Sequence, residues 1–170
     1  QDGPAEPPLP GTCEREFVVS EAFTAEERGM LDAAVVRWNA VAHEQFCLRV
    51  GDLDGSVRHG IFRIPYRGEY WQGLSKTFGG ADVLGVHYGD TDQIGIVDVL
   101  DEVSFPLVAL HEFGHAHGLG HTEAPAIMHQ AIGTALDLTV LDIAECHRAG
   151  ACSGQDAPAR AAGHQGRVQL

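Results

Sequence analysis

The residues best equipped for chemistry lie in one short run, His111-Glu112-Phe113-Gly114-His115-Ala116-His117-Gly118-Leu119-Gly120-His121. His111 and His115 are four apart, so on a helix both imidazoles project from one face. Two neutral ring nitrogens about 2.0–2.1 Å from a shared ion suit Zn2+. Glu112 follows the first of them. It can reach a water on the metal while staying outside the coordination shell. Gly118 lets the chain leave the helix through a left-handed residue, which needs no Cβ, and His121 can then return as the third ligand. Three protein ligands leave a fourth position for water, the arrangement of a catalytic rather than a closed structural site. Two blander readings are a helix with ordinary polar histidines and a zinc ion that only stabilises the fold. The open position and Glu112 argue against both.

Such a site needs a scaffold, and the sequence predicts one on both sides of it. Phe17-Val18-Val19 reads as a short strand. Thr24 and Glu27 form a capping-box pattern. Met30, Leu31, Ala34, Val35, Trp38, Val41 and Ala42 follow at helical spacing, which predicts an amphipathic helix over about 25–45. Leu48–Val50 and Val57–Pro65 read as strands joined by turn chemistry at Gly51-Asp52 and Asp54-Gly55. Val83–Tyr88 and Ile94–Leu100 are two more. A second long helix is expected over about 105–117, capped by Ser104, tolerant of Pro106 in its first turn, and ended by Gly118. A further helix is expected near Leu138–His147. The whole predicts a mixed α/β (α+β) domain.

Composition narrows the partners. The chain has 170 residues, which suits one domain, and 11 Lys+Arg against 24 Asp+Glu leave a net charge of −13. That balance argues against nucleic acid or an anionic membrane surface. The hydrophobic fraction of 44% supplies a core, and no run is long and apolar enough to span a membrane. Residues 77–147 contain no Lys or Arg but carry 11 acids and seven of the ten histidines. This anionic half reads either as a solubility feature or as a surface for cations and basic ligands. Asp82, Asp90, Asp92, Asp98, Asp101 and Glu102 gather before the histidine helix. Loop oxygens of this kind can bind Ca2+, but no EF-hand spacing is present, and a solvated loop is the simpler reading.

Four cysteines, Cys13, Cys47, Cys146 and Cys152, suit a secreted domain with two disulfides, for which three pairings exist. Cys146 and Cys152 are near enough to close a small loop, which leaves Cys13 with Cys47. Free thiols in a reducing compartment are the alternative. Residues 1–12 read as an extended Pro- and Gly-rich lead-in, 13–152 as the domain, and 153–170 as a flexible tail or linker stub. The start at Gln1, without Met, reads as a processed or trimmed chain.

The run HExxHxxGxxH resembles the signature of metzincin zinc peptidases. Ala126-Ile127-Met128-His129 resembles the methionine turn that these proteins place beneath the zinc. The stretch from His121 (HTEAPAIMHQ) is most similar to the matrixin branch, as is Leu138-Thr139-Val140-Leu141-Asp142-Ile143, which matches its last helix. By that resemblance Asp142 holds the methionine turn through hydrogen bonds. Leu84-Gly85-Val86-His87-Tyr88 resembles the edge strand above the cleft, and Trp38 the core of the first helix.

The resemblance implies a twisted mixed sheet with an antiparallel edge strand and a small C-terminal subdomain bearing the methionine turn and final helix. It also implies a secreted, monomeric zinc endopeptidase acting on protein or peptide substrates. Glu112 would be its general base, and the substrate would lie extended along Val83–Val86. Residues His129–Gly133 would line the pocket for the side chain after the cut, expected to be apolar.

Several positions depart from the family pattern. His117 stands where many relatives carry Leu, about 200° around the helix from His115, and so should point away from the ion. Leu141 replaces an Asp. His129 and Gln130 follow the methionine where Tyr and Pro are usual. The His and Asp set for a second, structural zinc has no clear counterpart, and Gly11-Thr12-Cys13-Glu14 does not match a cysteine switch. Two readings from other classes are a non-enzymatic secreted module stabilised by zinc and a hydrolase of non-peptide amides or esters.

Overall fold

A computed structural model of the protein describes residues 12–152 and 166–169. In chain order the elements are β1 (Arg15–Ser20), α1 (Ala25–Asn39), β2 (Phe46–Gly51), β3 (Gly60–Ile64), α2 (Glu69–Thr77), β4 (Val83–Tyr88), β5 (Gln93–Val97), α3 (Ser104–Ala116), α4 (Val140–Arg148) and β6 (Gly166–Gln169). The strands form one mixed sheet in the order β2-β1-β3-β5-β4-β6. β2, β1, β3 and β5 are parallel, while β4 runs antiparallel to β5 and β6 antiparallel to β4. The expected mixed sheet with an antiparallel margin is present.

The apolar pattern explains the layering. α1 packs on α3, and every α3 residue from Phe105 to Ala116 is buried except Pro106. Phe17 from β1, Trp38 from α1, Ile61 from β3 and Phe113 from α3 are among the fully buried side chains that join sheet to helices. The Trp38 indole N–H donates to the Leu110 carbonyl over 2.8 Å, so the two long helices are joined by a buried polar contact as well as by packing. Cys13–Cys47 and Cys146–Cys152 are disulfide-bonded, in the favoured pairing.

Local chemistry adjusts several predicted boundaries. The Thr24–Glu27 capping box forms with both of its bonds. α1 ends at Asn39 rather than near residue 45. The Asn39 amide bonds both the N–H and the carbonyl of Phe46, and this fixes the reversal into β2 in place of another helical turn. Ser104 is not the cap of α3. That position belongs to Val103, and the Asp101 carboxylate accepts the Val103 and Ser104 N–H groups. An acid three residues upstream of Ser104 thus satisfies the first N–H groups at the start of the helix. α2 had no counterpart among the predicted elements. Of the segment 153–170, residues 166–169 form β6, because main-chain pairing with a strand edge does not require large side chains. The rest of that segment, and residues 1–11, lie outside the described residues.

Candidate metal centre

α3 brings His111 and His115 together as the i, i+4 spacing requires, and both are buried. His111 Nδ1–H donates to the Ile127 carbonyl at 2.7 Å, and His115 Nδ1–H to the Leu119 carbonyl at 2.8 Å. A carbonyl can only accept, so these bonds fix the tautomer and leave each Nε2 with a lone pair. Gly118, at φ +92°, ends the helix in a backbone conformation that favours glycine. Its N–H bonds the His115 carbonyl, and the Leu119 N–H bonds that of Gly114. The Gly120 N–H then donates to Glu145, carrying the chain back so that His121 faces the first two histidines.

His115 Nε2 lies 2.9 Å from His111 Nε2 and 3.2 Å from His121 Nε2. Two nitrogens bound tetrahedrally at about 2.05 Å would be about 3.3 Å apart. Convergent lone pairs at this spacing repel unless a cation lies between them, so the donor set fits a divalent metal. Among the described residues this is the one cluster of three ligand-type side chains that could hold such an ion. His111 and His115 are buried and His121 is exposed.

Glu112 is fully buried on the same helix. Among the described residues neither carboxylate oxygen has a hydrogen-bond partner. Burial pushes its acid well above the ordinary carboxylate range. Burial also holds His115 well below the usual histidine range, with the neighbouring His111 and His121 adding to the effect. β4 crosses directly over this carboxylate. A Cβ on Gly85 would lie 2.7 Å from Glu112 Oε1.

Met128, which packs under Gly114 of the histidine helix, is also fully buried. Asp142 accepts from the N–H groups of Ile127 (3.0 Å) and Met128 (2.7 Å), and from both the N–H and the hydroxyl of Thr139. The Thr134 hydroxyl adds bonds to both main-chain groups of Ala126. Gly114 makes room for the sulfur, because a Cβ there would overlap the Met128 Sδ. Gly85 and Gly114 are the residues that motif reading missed. A glycine inside a strand and another between two ligand positions both signal close approach.

His117 turns away from the triad, as predicted. It is buried and stacks on Phe46 with ring centroids 3.9 Å apart. Behind His115 a cavity of about 330 Å³ is lined by Arg15, His59, His87 and Asp92, among others. Asp92 bonds His87 at 2.7 Å and Arg15 at 2.9 Å, and lies 2.7 Å from His59. Burial pushes this acid up. The His87 bond and the Arg15, His87 and His59 charges outweigh burial and hold the acid below the usual range. Arg15 also donates to the Ala116 carbonyl in the last turn of α3. Four of the six acids considered for Ca2+ have other tasks here. Asp82 and Asp98 accept from Tyr66, Asp92 joins the network just described, and Asp101 serves the start of α3.

No curated protein matches the chain. The family model of the matrixins matches residues 20–147, a span from the end of β1 through the histidine helix to the penultimate residue of α4. That match covers most of the sequence, and the chain belongs to the matrixin family.

Proposed function

We propose that this chain is a secreted, monomeric zinc endopeptidase that cuts extended protein or peptide segments. The matrixin family suggests zinc-dependent peptidase activity, and one observation carries the reading to these residues. Three imidazole Nε2 atoms converge at ligand spacing, two of them in tautomers fixed by carbonyl partners. His111, His115 and His121 would hold the zinc. The ion would supply a Lewis acid that polarises the scissile carbonyl and makes a water acidic.

The chain's own groups do the rest. Glu112 accepts the proton of the attacking water on a carboxylate oxygen and delivers it to the leaving nitrogen. Asp142 and Met128 hold the floor, so that the histidines keep their orientation without touching substrate. Val83–Val86 of β4 would pair with the substrate main chain. His129–Gly133 would wall the pocket for an apolar side chain after the cut, with His129 Nδ1 accepting from the Ala131 N–H to shape that wall. Two disulfides are compatible with secretion, and no helix among the described residues is long and apolar enough to cross a membrane. The acids before α3 lend Ca2+ no separate support.

The test is a mixed-peptide-library digest combined with metal analysis, comparing wild type with Glu112→Ala. One zinc per chain in both proteins, with cleavage only in wild type, is expected. Zinc in both with cleavage in neither would favour a zinc-stabilised binding module. Equal cleavage by the two would remove Glu112 from the chemistry.

A further inference from the structure

We propose that residues 166–169 occupy the substrate edge of β4 as a tethered competitor, an inference that rests on the peptidase reading above. The sheet order ends β5-β4-β6, so without β6 the strand β4 would present a row of unpaired main-chain groups. Such an edge takes up extended peptides by strand addition. Here the chain supplies the strand itself. β6 pairs antiparallel with β4, with Val83 opposite Gln169, Gly85 opposite Val168, Val86 opposite Arg167 and His87 opposite Gly166.

The register places this segment over the reacting groups. Gly85 is the residue where β4 presses on Glu112, and Val168 stands opposite it. β6 also contacts α3, the helix that carries His111, Glu112 and His115. An extended substrate on β4 and β6 therefore cannot both be in place.

The tether sets the strength. Cys152 is fixed by its disulfide to Cys146 and by a bridge to Ala42. Residues 153–165 connect it to β6. A short linker of this kind gives an effective concentration in the millimolar range. Four residues of strand pairing bind weakly, so substrate displaces the segment instead of being locked out. The device raises KM and leaves kcat alone.

The experiment uses the full chain carrying Arg167→Pro together with Val168→Pro. Consecutive N–H groups of a strand point to opposite sides, so one of the two prolines removes a donor facing β4 whichever way the strand is turned. Amide exchange of Val83–Tyr88 should quicken in the variant. KM for a fluorogenic peptide should fall about two- to tenfold at unchanged kcat. A synthetic peptide of residues 164–170 should inhibit the variant competitively. Unchanged exchange in β4, or equal KM in two chains that both cleave, would overturn the competitor. Zinc-loaded chains that cleave nothing would instead overturn the peptidase reading on which it rests.

Discussion

Glu112 and Asp142 are both carboxylates at 0% exposure, both close to the histidine triad, and they live in opposite surroundings. Asp142 receives three main-chain N–H groups and a hydroxyl. Glu112 receives nothing from the described residues. A buried polar network with every member satisfied holds one geometry, whereas a buried carboxylate without partners costs stability wherever it must ionise. The contrast separates a carboxylate tied into the fold by four hydrogen bonds from one that the described residues leave without any.

The largest way to sharpen the contrast is Glu112→Gln. The amide keeps the shape and cannot relay a proton, so peptidase activity should fall about 10³- to 10⁴-fold while the circular dichroism spectrum and zinc content stay unchanged. Loss of zinc from this variant would mean that Glu112 supports the ligands, and the distinction between the two acids would fail. Asp142→Ala should do the reverse. It strands three main-chain donors and should cost about 3–5 kcal/mol, read as a fall of roughly 10 °C in melting temperature. Activity per folded molecule should drop less than in Glu112→Gln.

The pH dependence of the metal-free chain probes the same pair. Below the ordinary carboxylate pKa of 4.5, Glu112 is protonated whether folded or unfolded, and it contributes nothing. As pH rises above that value the unfolded chain ionises while the folded one holds its proton, so stability declines with pH. Glu112→Gln lacks this decline. Its melting temperature should exceed that of the wild type by a gap that widens from pH 5 to pH 8. A gap that stays constant would contradict the isolation of Glu112. His115 acts at the other end. Its depressed pKa leaves it neutral in the fold while the unfolded chain takes a proton below about 6.5, so both metal-free proteins lose stability as pH falls through that value. The smallest effect is expected from Thr139→Val, which removes one partner of Asp142 and the cap of α4 for about 1 kcal/mol, measured by chemical denaturation.

The centre was legible from sequence because its logic is local. His111 and His115 share a helical face, Gly118 must turn the chain, and Thr24–Glu27 caps α1 in a four-residue pattern. The resemblance added Met128 and Asp142, which are joined only through the fold. What sequence reasoning missed depends on long-range contact. Asp101 displaced Ser104 at the start of α3 because loop geometry decides which acceptor reaches the N–H groups. Asn39 ended α1 early by bonding Phe46. The segment 166–169 lacks a strand-like pattern of its own and forms one because β4 offers it an edge. Arg15 reaches Asp92 and Ala116 across the fold, a link that no motif announces.

The fit of Met128 beneath Gly114 also bears on oxidative damage. The thioether is sealed against the helix with no room for a Cβ, and still less for a sulfoxide oxygen. Peroxide should therefore reach Met30, which is only partly buried, long before Met128. Once Met128 does oxidise, the turn has already opened, and the modified side chain cannot return to its place. The rate at which this one sulfur takes up oxygen is thus a clock for how often the turn at Met128 comes apart.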